Sequence, residues 1–232
     1  MRTIKQFIFG TIMGSFLAVI CIRGIRVPQK KSLLFPSSCC DYCGQRLHPS
    51  EMIPLFSALR QKFHCSHCQQ PFSSRSFWLE LICGLLFWLF LRDFHWLLCW
   101  QLFWLLSSLV LAVIDWDHLI VEMRIFLSTG MILLISGLFL VPIYWLHPLI
   151  VGSGFFLSQK IFPNSLGLGD LWVIGLWSLF LTGYELLQLL FIASVSGLIF
   201  FSCQLLRKKK PERLPFLPFL FIVLLILLIK NH

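Results

Sequence analysis

The run WLLCWQLFWLLSSLVLAVID, from Trp96 to Asp115, decides the fold. From Trp96 to Ile114 it carries no charged side chain, over a length close to the ~20 apolar residues that a membrane-crossing helix needs. It then stops on a carboxylate. An Asp at the centre of a membrane helix costs about 2.5–3.5 kcal/mol on insertion scales, so acidic groups in or beside such runs are functional suspects.

Further apolar runs lie on both sides, at Phe7–Ile22, Phe77–Leu91, Ile125–Leu146, Pro148–Phe162, Leu171–Leu181, Leu186–Leu206 and Leu214–Ile229. Several are short for a perpendicular span, which predicts tilt, local thinning or a re-entrant segment around Pro148–Leu181. The composition agrees. Of 232 residues, 58% are hydrophobic and only 12% charged, about half the charge of a soluble domain, and this excludes one. Disorder is excluded by 24 Phe and nine Trp, which demand burial. The expected fold is an all-α polytopic membrane protein of about eight transmembrane helices. Met1–Ile22 is similar to a signal peptide but lacks a small-x-small cleavage site and precedes many spans, so it reads as a retained first helix.

The formal charge is +9, and the basic residues are clustered. In a membrane protein such clustering reports topology rather than a nucleic-acid partner. Eight spans put the loop from Arg23 to Arg75 and the loop from Arg207 to Arg213 on one side. Together with Arg124 and Lys160, that side holds fifteen of the 19 Lys and Arg, against Arg2, Lys5, Arg92 and Lys230 opposite. The positive-inside rule makes it cytoplasmic and puts both termini outside. The chain then divides into a first membrane helix (1–22), a polar cytoplasmic loop (23–76) and a membrane-embedded domain (77–232).

That loop is too small to bury much of a core unaided. It contains Cys40-Asp-Tyr-Cys43 and, 21 residues later, Cys65-Ser-His-Cys68. Two C-x2-C knuckles offer four thiolates that close a tetrahedron around zinc. Gly44 follows the first knuckle, where a turn often needs positive φ. Cys39, His64 and His67 are candidate substitutes, and two redox CxxC pairs are the competing reading. Cys21, Cys83, Cys99 and Cys203 fall in spans and read as small buried apolar residues.

The acidic suspects are Glu80, Asp93, Asp115, Asp117, Glu122, Asp170 and Glu185. Asp93 and Glu185 fall in short outer turns, where solvation explains them. Asp115 ends the third span and Asp170, in Gly167-Leu-Gly169-Asp170, begins the sixth, so both reach the cytoplasmic boundary. Gly167 and Gly169 remove side chains beside Asp170, letting another backbone, such as a substrate's, approach. Paired carboxylates at one site do not both ionise easily, so one serves as general acid while the other activates water, which is aspartic-protease chemistry.

These motifs resemble the type IV prepilin leader peptidases, including the competence-type enzymes of Gram-positive bacteria, and the resemblance runs the length of the chain. Gly14-Ser-Phe-Leu17 with Arg23 is similar to the family's first-span G-S-F signature. Cys40-x2-Cys43-Gly44, Glu51-Met-Ile-Pro-Leu55 with Ser57, and Cys65-x2-Cys68 match its loop cassette, and Leu79-Glu80-Leu81 resembles the V-E-L that follows. Ile114-Asp115 and Gly167-Leu-Gly169-Asp170 match the two aspartate motifs, and Leu214-Pro-Phe-Leu-Pro-Phe219 resembles I-P-F-G-P.

The resemblance implies a G-x-G-D aspartic protease in the bacterial cytoplasmic membrane, cleaving type IV prepilins or pseudopilins on the cytoplasmic side after the leader's terminal Gly. It assigns catalysis to Asp115 and Asp170, a choice over Asp117 that spacing alone does not make. Substrate binding falls to Gly167, Gly169 and Glu80, structural zinc to Cys40, Cys43, Cys65 and Cys68. Many members also methylate the new N-terminus with S-adenosylmethionine. The lipid bilayer and the prepilin are the expected partners, with no nucleic acid bound directly.

Four positions depart from the pattern: Glu122 in place of Pro, Trp172 in place of Lys, Ala18 in place of Asn and Leu217 in place of Gly. These bear on substrate preference and methylation more than on cleavage, and the Glu122 change is expected to loosen the turn after Asp115. Two other classes compete, a zinc-stapled non-catalytic assembly factor and a membrane thiol–disulfide oxidoreductase. The second wants its cysteines on the oxidising side, opposite to the charge count.

Overall fold

The computed structural model describes residues 2–26, 42–46, 54–61, 63–71, 74–91, 95–161, 167–207 and 214–230. Among them are nine helices and no strand: α1 (Arg2–Arg26), α2 (Phe56–Arg60), α3 (Arg75–Phe90), α4 (Trp96–His118), α5 (Met123–Leu140), α6 (His147–Ile161), α7 (Leu168–Ser178), α8 (Gly183–Leu206) and α9 (Leu217–Lys230). Apart from α2, a single turn in the polar loop, each matches one of the eight apolar runs. Four helices, α1, α4, α5 and α8, are long and apolar enough to cross a membrane. The protein is an all-α polytopic membrane protein. The shortness expected around Pro148–Leu181 is found there: α7 has 11 residues, a rise of roughly 16 Å.

The chain forms two compact units, Met1–Leu98 and Cys99–His232. In the first, α1 and α3 run antiparallel with their backbones nearly touching. A methyl added to Gly10 would lie 2.7 Å from the Cys83 carbonyl oxygen, and one on Gly14 2.7 Å from Glu80 Cα. Gly10-Thr-Ile-Met-Gly14 is thus a small-x3-small helix contact, in which close backbone packing supplies the attraction that lipid does not. Cys83 is fully buried in this seam. Ile4, Ile8, Ile12 and Phe16, at four-residue spacing on the other face of α1, are all about half exposed or more, as a lipid-facing stripe should be.

In the second unit the core is aromatic. Trp104 packs its ring against Trp100, Trp177 and Phe180 with centroids 5.2, 6.1 and 5.5 Å apart. Trp100 donates Nε1–H to the Leu133 carbonyl at 3.2 Å, which joins α4 to α5. α9 buries Leu217, Leu220, Val223, Leu224, Leu227 and Leu228, whereas α6 buries no residue, so α9 is central and α6 peripheral. His147, at the start of α6, places Nδ1 3.2 Å from the Ser178 carbonyl and 3.0 Å from that of Leu181, tying α6 to the end of α7. Glu185, expected merely to be solvated, completes a capping box with Thr182 that starts α8.

Candidate active site

Asp115 lies one turn before the end of α4. It is only 5% exposed, whereas Asp117, two residues on and about 200° around the helix, is exposed. Its carboxylate reaches the start of α9: Oδ2 accepts the Leu217 backbone N–H at 3.1 Å, with a further bond from the Phe216 backbone. The first N–H groups of a helix have no partner inside it, so a carboxylate there satisfies donors that would otherwise be buried unpaired. Pro215 and Pro218 cannot supply such an N–H themselves and suit the irregular entry and first turn of α9. Leu217, which stands where the family has Gly, is 1% exposed and donates the bond all the same.

Asp170 sits in the first turn of α7, where Gly167 is the N-cap. It accepts a hydrogen bond from the Gly167 backbone, reaching back to the cap as the third-position acid of a capping box does. The first turn of α7 therefore fixes the side chain by purely local bonds. The charge of Asp115 acts on Asp170, which places the two carboxyls within electrostatic reach.

Both line one open cavity of about 1400 Å³, together with Gly167 and Gly169. The segment Leu119–Val121 between α4 and α5, Phe155 and Gln159 of α6, Ser194, Gly197, Leu198 and Phe201 of α8, and Leu214 and Phe216 complete the lining. The α8 residues recur at three- and four-residue spacing and so form one face. Gln159 and Ser194 are polar lining residues that sequence reading missed; nothing in their local sequence singles them out. The space that Gly169 leaves open is taken by the Val121 side chain. A methyl there would fall 2.5 Å from Val121 Cγ2. Glu122 caps α5 with φ −73°, inside the range a proline ring imposes.

Glu80 belongs to the first unit and is buried. Its Oε2 accepts the Leu55 N–H at 2.8 Å, and it also bonds the Ser15 side chain. Ser15, Leu55 and Glu80, far apart in sequence, thus meet at one carboxylate. Leu55 has φ 59°, a strained conformation for a leucine, at the centre of a tight turn closed by the Phe56 N–H on the Pro54 carbonyl at 2.6 Å, and the bond to Glu80 is a second tie on the same residue.

In the loop, the Sγ atoms of Cys43, Cys65 and Cys68 all lie within 4.8 Å of one another. Tetrahedral zinc with Zn–S near 2.3 Å sets its sulfurs roughly 3.8 Å apart, so three thiolates so placed can hold a metal ion with little adjustment. Cys40 and Cys39 lie outside the described residues. Gly44 has the positive φ expected of it, 68°. The backbone of His64 pairs with that of Pro71 in an isolated antiparallel bridge.

Comparison with known proteins agrees with this arrangement. The bacterial peptidase A24 N-terminal domain family matches residues 8–94. A prepilin leader peptidase/N-methyltransferase of Myxococcus xanthus is 35% identical over 207 residues, covering 83% of this chain and 60% of that protein. The chain is similar to the prepilin leader peptidases over most of its length. Proteins of the same name from Bacillus subtilis and Stutzerimonas stutzeri are also similar. The first is 40% identical over 81 residues (35% of this chain, 32% of the relative), the second 28% over 269 positions (92% and 85%). The chain therefore spans less than two thirds of the first two relatives. No solved structure matches it.

Proposed function

We propose that the protein is an aspartic endopeptidase that removes the leader peptide of type IV prepilins or pseudopilins at the cytoplasmic boundary of the bacterial membrane. The observation that carries this reading is that Asp115 and Asp170, from two different helices, line one cavity. In the mechanism, one ionised carboxylate takes a proton from water as the oxygen attacks the scissile carbonyl. The other, protonated, gives its proton to the departing amine as the C–N bond breaks. Orientation follows from the charge count, since the basic loops hold this end of α4 and α7 inside.

Cys43, Cys65 and Cys68, with Cys40 as the fourth ligand, would hold zinc, which supplies a structural staple to a loop short of core. Methyl transfer, named in the relatives' activity, is a separate step and has its own readout. The test is co-expression with a prepilin in cells lacking their own peptidase. Leader removal is scored by immunoblot, and the mass of the new N-terminus tells methylated from unmodified product. Cleavage by the parent and none by Asp115→Asn supports the reading; an uncut prepilin beside abundant, membrane-inserted protein favours a non-catalytic assembly factor.

A further inference from the structure

We infer that Val121 is a positioning residue that sets the placement of Asp170 relative to Asp115 by filling the space that Gly169 leaves open. The inference rests on the reading of these two aspartates as the reacting pair. α4 ends at His118, and Leu119 adopts φ 54°. Its N–H bonds the Asp115 carbonyl at 2.8 Å, so the reversal of the chain is built on the same helical turn that carries the first aspartate. A non-glycine residue in this left-handed region is strained and persists where surrounding contacts hold it. Two residues later Val121 meets α7.

A methyl on Gly169 would lie 2.5 Å from Val121 Cγ2, 2.9 Å from its Cβ and 3.8 Å from its backbone N. The middle distance matters most. Turning the valine about χ1 moves Cγ2 but not Cβ, so a rotamer change does not relieve the clash, and the backbone of one segment would have to retreat. Valine, stiff at χ1, makes a spacer of defined thickness. Asp170 follows Gly169 directly and is locked to α7 through Gly167. A short covalent run from Asp115 to Val121, one contact, and one further residue therefore connect the two carboxyls, and Asp115, Leu119, Ile120, Val121, Gly169 and Asp170 of this path border the shared cavity.

The test is a size-exchange series in purified, detergent-solubilised full-length protein, with a prepilin as substrate. Gly169→Ala should lower kcat by tenfold or more while KM stays within about twofold, because the shift falls on the reacting pair and not on the substrate groove. Restoring space opposite should then recover turnover in order, partly with Gly169→Ala/Val121→Ala, which removes only the Cγ contact, and further with Gly169→Ala/Val121→Gly. Rescue in that order supports the inference, because a merely destabilising change would not be repaired by a second one that deletes packing. Unaltered kcat in Gly169→Ala, or no rescue by either double variant at equal abundance and thermal stability, overturns it. A parent protein that does not cleave overturns the dyad reading first and the inference with it.

Discussion

The carboxylate of Asp115 is held by the backbone N–H of Leu217, 102 residues further along the chain, at 3.1 Å. The aspartate at the end of α4 is thereby part of the start of α9, and changes at position 115 act on both catalysis and packing. The two effects are separable by the choice of substitution.

Asp115→Asn retains an oxygen for the Leu217 N–H but lacks a group that exchanges a proton in the working pH range, and Asp170→Asn is equivalent at its site. Each should abolish leader cleavage with near-normal abundance. Asp115→Ala should also lower stability by about 1–3 kcal/mol, the usual cost of a buried donor left unpaired. Asp117→Asn, at an exposed position, should keep most of the activity. Immunoblots of prepilin and enzyme from the same cells check all four; equal loss at 115 and 117 would contradict the assignment.

Protein purified under reducing conditions without chelator should carry about one zinc per chain by elemental mass spectrometry. Cys43→Ser or Cys65→Ser should lose it, and protease should then cut the loop before the helices, since metal binding is folding energy for so small a module. A metal-free but protease-resistant parent would sink this expectation.

Glu80→Gln should resemble the parent in protease resistance, because its amide oxygen still accepts the Leu55 N–H. Glu80→Ala should expose the 54–71 segment to early cleavage and lower the detergent melting temperature, as Leu55 loses one of the two ties on its strained conformation. If the two variants behave alike, Glu80 acts through its charge instead, as a substrate-binding role would require.

On the substrate side, replacing the last leader Gly by Leu should block processing with insertion intact. Two helices bring their aspartates to one boundary, and a peptide bond placed between them has least room for a side chain beside it. Exchanging leader Lys for Arg should change little, because leader charge orients the substrate and the enzyme's own loops are basic. Rates from pulse-chase labelling decide it: a Leu variant cut as fast as the parent means that recognition lies in the helix that follows.

The helices were legible because apolar length is a coarse signal and lipid enforces it. Asp115 and Asp170 stood among seven acidic suspects and were singled out by the motifs of the resemblance; the fold lines one cavity with both. What holds them was not legible. No spacing rule links Asp115 to Leu217 across 102 positions, and nothing in the local sequence says that the space beside Gly169 is taken by the Val121 side chain and not by a substrate. The bonds of Glu80 to Leu55 and Ser15 join segments whose proximity only the folded chain reveals. The Gly10-x3-Gly14 seam was readable in principle, since small residues at that spacing are a packing signal in membrane helices.

The glycine seam between α1 and α3 also bears on the order of assembly. Both helices belong to the first 98 residues, so a nascent chain still on the ribosome can pair them before α4 has been made. Pairing ties together the two ends of the intervening segment, residues 27–74, and the entropy of closing that long loop is then already spent when metal arrives. All four knuckle cysteines lie within it, so a translation intermediate that still lacks both aspartates should already be able to capture its zinc.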